Sequence, residues 1–121
     1  MSRILVVDDE EYVRDLLVEF LQKRGYEAEG AESGAQALIL ARERPPQAIL
    51  LDISMPGMNG ITTLEKLREE HPDSSVIMIS GVADHQTALK ALQLGAFDYI
   101  QKPFDLYYLE RVLVTKLAGL S

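Results

Sequence analysis

A chain of 121 residues without cysteine is one domain, long enough to bury a core unaided, and it excludes disulfides, thiolate zinc sites and cysteine nucleophiles. Its net charge of −7, from 19 Asp and Glu against 12 Lys and Arg, argues against a surface that grips a phosphate backbone, so any link to nucleic acid is expected to be indirect. His71 and His85 are too few for a histidine metal site, and the lack of a signal peptide or long apolar span sets the expectation of a soluble, cytoplasmic protein with no membrane association.

In chain order, Ile4-Leu5-Val6-Val7 is an apolar run without alternation, as a strand buried on both faces requires, and it runs into Asp8-Asp9. Val13, Leu16, Leu17, Phe20 and Leu21 then recur at helical spacing, and Lys23-Arg24-Gly25 supplies basic residues and a glycine stop. Tyr26 to Gly30 reads as a short second strand near a sheet edge. Ser33-Gly34-Ala35-Gln36 has capping-box spacing and opens a helix through Ala37, Leu38 and Ala41 that Pro45-Pro46 ends. Ala48 to Asp52 is a third strand, again apolar until its last residue, and Pro56-Gly57 supplies the turn after it.

Asn59 is placed to cap a third helix carrying Ile61, Leu64 and Leu67, with Pro72 just past its end. Val76-Ile77-Met78-Ile79 is a fourth strand leading into Ser80-Gly81. Asp84 can cap the next helix, which carries Ala88, Ala91 and Leu92 and is closed by Gly95. Phe97 to Gln101 forms a fifth strand that meets Lys102-Pro103. Asp105 can cap the last helix, whose buried stripe is Leu106, Leu109, Val112, Leu113 and Leu117. Met55, Met58 and Met78 read as packing residues, and His71 and His85 as surface residues at helix ends.

Strict alternation of strand and helix with right-handed crossovers predicts an α/β fold, a doubly wound, flavodoxin-like parallel sheet of order 2-1-3-4-5 with helices on both faces. In such sheets the carboxyl ends of the strands share one edge, where ligands bind, and the winding reverses between the first and third strands. That places Asp8, Asp9 and Asp52 in one crevice, with Ser80 and Lys102 on the same edge. Taken singly, an Asp beside a turn is ordinarily a cap or a solvated loop residue, and Asp8-Asp9 read alone serve equally as a capping pair favoured by the dipole of the first helix.

Val6-Val7-Asp8-Asp9, the stretch Leu51-Asp52-Ile53-Ser54-Met55-Pro56-Gly57-Met58-Asn59-Gly60, Ile79-Ser80-Gly81, and the run from Gly95 through Asp98-Tyr99-Ile100-Gln101-Lys102-Pro103-Phe104 resemble the receiver domain of bacterial two-component response regulators. The resemblance covers 1–121. It implies that Asp52 is the phosphoacceptor, taking a phosphoryl group from the histidine of a sensor kinase or phosphotransfer protein, which fits a carboxylate as nucleophile. It implies a magnesium site in which Asp9 is a direct ligand, Asp8 acts largely through water, and Asp52 and the Ser54 backbone carbonyl complete the protein's share. Lys102 is implied to contact phosphoryl oxygens and to precede a cis proline bond, Ser80 to donate its hydroxyl once its loop moves inward, and Tyr99 to be the aromatic switch residue. By sequence alone Tyr99 is a half-buried strand aromatic.

The function implied is a phosphorylation switch, self-modifying and not a turnover enzyme, that biases the face of the fourth helix, fifth strand and fifth helix toward a downstream protein or output domain. A phosphorylation-dependent homodimer is compatible with it. Ser54 and Val82 occupy positions that tune dephosphorylation in the family, while Glu10 and Glu11 read as a solvated helix start. A magnesium-dependent phosphohydrolase with an Asp nucleophile would use similar chemistry, but it needs an acid where this chain has Ser54, and a cap insertion. An interaction domain that has lost phosphotransfer would lack one of these site residues, and none is missing.

Overall fold

The computed structural model describes residues 2–53, 60–81 and 85–117, with only the backbone of His85. The strands are β1 (Arg3–Val7), β2 (Glu27–Ala31), β3 (Ala48–Asp52), β4 (Ser75–Ser80) and β5 (Asp98–Gln101). They alternate with α1 (Glu11–Lys23), α2 (Gly34–Glu43), α3 (Gly60–Glu70), α4 (His85–Gln93) and α5 (Leu106–Leu117). The sheet is parallel throughout with order β2-β1-β3-β4-β5, as expected.

The unalternating runs are explained by cover on both faces. Leu5, Val7, Ile49, Leu51, Val76 and Met78 point to the side where Ala37, Leu38, Leu64, Leu67 and Ala91 pack, which carries α2, α3 and α4. Ile4, Val6, Leu50, Ile77, Ile79 and Ile100 meet Leu17, Leu21, Leu109, Val112 and Leu113 of α1 and α5. β1 and β3, the strands that carry the acidic residues, are buried along their whole length. Rigid packing of this kind fixes their ends.

The local signals act where the sequence places them. The Ser33 hydroxyl accepts the Gln36 amide at 3.1 Å, and the Gln36 side chain returns to the Glu32 amide at 2.7 Å, one residue earlier than in the usual reciprocal box. Asp105 accepts the Tyr107 amide at 2.7 Å and caps α5. Gly25 and Gly95 stop α1 and α4 at φ values of 92° and 103°, a conformation that suits glycine. The caps expected at Asn59 and Asp84 lie outside the described residues, as do Met55 and Met58.

Three expectations are corrected. β5 begins at Asp98 and not at Phe97, which precedes the strand although its amide donates to the Val76 carbonyl at 2.7 Å. β2 runs one residue later than Tyr26 to Gly30, because Ala31 pairs with Val7 and lies in the core, whereas Tyr26 precedes the ladder. His71, expected at the surface, is partly buried just past α3, and its Nε2 is covered without a hydrogen-bond partner among the described residues. The amino-terminal edge of the sheet is also polar: the buried Arg3 guanidinium pairs with Glu29, and its Nε donates to the Arg44 carbonyl at 3.1 Å, which ties β1 to β2 and the end of α2. Among the described residues, no helix is long and apolar enough to cross a membrane.

Gly60, the first residue of α3, lies against the end of β3. A Cβ there would stand 2.2 Å from the Ile53 Cα, a backbone atom that cannot rotate away. Gly60→Ala is therefore expected to cost about 1–3 kcal/mol of stability, as overpacking does, and to lower the urea midpoint of unfolding. An unchanged midpoint would show that this approach of α3 to the Asp52 strand is not constrained.

Candidate functional site

Asp52 is the last residue of β3 and is only 4% exposed. Asp8 follows β1 directly and is 2% exposed, while Asp9 beside it is exposed. Because β1 and β3 are hydrogen-bonded neighbours, the three residues offer carboxylate oxygens that all lie within 4.8 Å of one another. At an effective dielectric near 20, two such charges at that distance repel by about 3 kcal/mol. The cluster needs positive charge.

Lys102, immediately after β5, supplies it. Its Nζ lies 3.1 Å from Asp8 Oδ2, 3.4 Å from Asp52 Oδ2 and 3.7 Å from Glu10 Oε1. The lysine is held by its backbone, since its amide donates to the Ser80 carbonyl at 2.7 Å, so the end of β4 carries the ammonium to the acids. Its bond to Pro103 is cis, as the resemblance implies. Burial favours loss of the Lys102 proton, but the hydrogen bond to Asp8 and the charges of Asp52 and Asp8 outweigh burial and raise its pKa.

Asp8 is fixed on several sides. Its amide donates to the Ala31 carbonyl at 3.1 Å, and Oδ1 accepts the Glu10 amide at 2.9 Å. It is therefore not the cap of α1, whose N-cap position is Glu10, without a side-chain cap bond. Glu10, read from sequence as part of a solvated helix start, is indeed mostly exposed, yet its carboxylate extends to the edge of the cluster. The donor set consists of hard carboxylate oxygens, with no histidine or cysteine among the three, which suits an oxygen-loving divalent cation.

Of the remaining residues singled out from sequence, Ser80 ends β4 fully buried, on the same sheet edge as Asp52 and Lys102. Tyr99 pairs with Met78 in the β4–β5 ladder, is partly buried and packs against the α2–α4 side of the core. The structure thus brings Asp8, Asp9, Asp52 and Lys102 together directly, joins Ser80 to Lys102 through the backbone, and sets Tyr99 three residues before the lysine. Ser54 and Val82 lie outside the described residues.

Sequence reasoning missed Arg14, whose Nη1 donates to the Asp8 carbonyl at 2.9 Å. Its signal was an isolated glycine, Gly30, inside a strand, which marks a close approach.

A lysine whose pKa is raised on folding stabilises the fold fully below its ordinary value of 10.5, and that contribution disappears as pH climbs through the raised value. The difference in urea-unfolding free energy between the wild type and Lys102→Met should stay flat from neutral pH to about 10 and change only above that. A change already complete near pH 9 would show instead that burial dominates and the ammonium is held weakly.

The family model for the response regulator receiver domain matches residues 4–113. Regulatory protein AtoC of Escherichia coli (strain K12) is 42% identical over 106 residues, which are 88% of this chain and 23% of that protein. The chain spans under a quarter of the length of the first curated relatives it matches. A CheY-like response regulator receiver domain protein from Methanospirillum hungatei JF-1 superposes with a TM-score of 0.95 at 32% identity, covering 99% of this chain and 96% of that one. A response regulator from Burkholderia pseudomallei, solved with a phosphorylated aspartic acid, a calcium ion and citrate, gives 0.90 at 28% identity over 99% of this chain and 71% of that one. Sheet order, the clustered acids at its carboxyl edge and these likenesses agree: the chain belongs to the response regulator receiver domain family.

Proposed function

We propose that residues 1–121 form one receiver domain in which Asp52 accepts a phosphoryl group from a phosphohistidine of a sensor kinase or phosphotransfer protein. The observation that carries this reading is the pairing of a buried carboxylate with an ammonium 3.4 Å away, at the end of a strand flanked by two further acids. An Asp52 oxygen forms the new P–O bond, the P–N bond to the donor imidazole breaks, and the imidazole leaves with the electron pair. Attack by an anion on an anionic phosphoryl group needs charge compensation. Lys102 supplies part of it as a compact cation already at the site.

Magnesium, held by Asp8, Asp9, Asp52 and the Ser54 carbonyl, would neutralise developing charge on the phosphoryl oxygens. The relative from Burkholderia pseudomallei, with its phosphorylated aspartic acid and calcium ion, supports both parts of the reading. Asp8 and Asp9 keep the cation side of the site, and Lys102 is free to exchange carboxylate for phosphoryl oxygens.

Ser80, carried on the β4 end that also holds the Lys102 amide, donates its hydroxyl to a phosphoryl oxygen. Tyr99 and the α4–β5–α5 face report the change. That face leaves Leu89, Leu92 and Tyr108 exposed, which suits contact with a downstream protein, an output domain or a second copy. The chain modifies only itself, acts in the cytoplasm, and its net charge of −7 leaves nucleic-acid contact to an output domain.

Intact-mass measurement after incubation with a small phosphodonor tests the reading. A magnesium-dependent gain of one phosphoryl group is expected in the wild type and not in Asp52→Asn. A folded wild type that gains nothing would overturn phosphotransfer, and a gain that survives in the variant would overturn the choice of carboxylate. In the phosphorylated sample, amide NMR shifts should move at Tyr99 and along α4 as well as around Asp52; shifts confined to the neighbours of Asp52 would refute the switch.

A further inference from the structure

We propose that Arg14 is a positioning residue for the acidic site, acting through the Asp8 backbone along a path that Gly30 leaves open; this rests on the metal-binding part of the proposed function. Arg14 lies in the first turn of α1, where its amide donates to the Glu10 carbonyl at 2.9 Å. A cation there faces the positive end of the helix dipole, so helix stability does not explain it. Among the described residues Arg14 makes no ion pair within 4.0 Å.

Its side chain turns back along the helix and places Nη1 2.9 Å from the Asp8 carbonyl oxygen. To get there it crosses β2 over Gly30, the partner of Val6 in the β1–β2 ladder. A Cβ at Gly30 would stand 2.9 Å from both Cγ and Cδ of Arg14. The bare backbone is the channel for the guanidinium.

The Asp8 carbonyl belongs to the planar peptide that joins Asp8 to Asp9. Its orientation sets the direction in which the exposed Asp9 leaves the backbone. Ala31 holds the Asp8 amide, the Glu10 amide holds Oδ1, and Arg14 holds the carbonyl. None of these three uses Oδ2, the oxygen that Lys102 contacts. They leave Oδ2 open, so exchange of Lys102 for a cation there need not disturb the turn. Groups that orient ligands in this way are typically worth 10–100-fold in metal affinity.

The test is calorimetric titration of the full chain with magnesium chloride alone, for the wild type, Arg14→Ala, Arg14→Lys, Gly30→Ala and the Arg14→Ala/Gly30→Ala double variant, with melting temperatures taken without metal. Arg14→Ala and Gly30→Ala should each weaken magnesium about tenfold. Arg14→Lys, which keeps one donor, should lose less. The double variant should match Arg14→Ala, because Gly30 acts only through the arginine. An Arg14→Ala protein that melts lower but binds magnesium as the wild type does would overturn the role, as would losses that multiply in the double variant. If Arg14→Ala does not fold, Gly30→Ala, which retains the arginine and displaces it, decides by the same criterion. A wild type that binds no magnesium would overturn the metal site itself and this role with it.

Discussion

Two carboxylates almost removed from water, Asp8 and Asp52, stand at the ends of adjacent strands, and the Lys102 ammonium between them makes that arrangement tolerable. A buried ion group of this kind is a poor way to stabilise a fold, because desolvating the charges offsets most of their attraction. It is a good way to hold a site ready. A divalent cation or phosphoryl group entering here would change the charge balance, and Lys102 would respond through local electrostatics.

The sheet is built so that this tension cannot relax. β1 and β3 are covered on both faces, which leaves their carboxyl ends no freedom to splay. Gly60 brings α3 against the end of β3, and Ser80 fixes the lysine through its backbone. The same edge of the sheet therefore supplies the proposed nucleophile, the acids and the cation, while Arg3 and its partners tie the opposite edge together.

Much of this was legible in the sequence because its signals are local. Unalternating runs gave β1, β3 and β4, and handed crossovers left a doubly wound parallel sheet, whose particular order rested also on the family resemblance. The acids and Lys102 could be placed on one edge since each ends a strand. β2 was harder, since an edge strand alternates weakly and its last residue, Ala31, is fixed by pairing with Val7. Arg14 and Gly30 escaped because their relation is tertiary: a missing Cβ on one strand matters only when a helix side chain from elsewhere crosses it. The covered Nε2 of His71 depends likewise on packing past α3 that no periodicity encodes.

The phosphoryl group is proposed to reside on the β3 carboxylate and not on the acids beside it. Borohydride reduction of the phosphorylated chain converts the acyl phosphate to an alcohol, and peptide sequencing by mass spectrometry then locates the resulting homoserine. It is expected at position 52, with Asp8 and Asp9 intact. Homoserine at position 8 or 9 would contradict it.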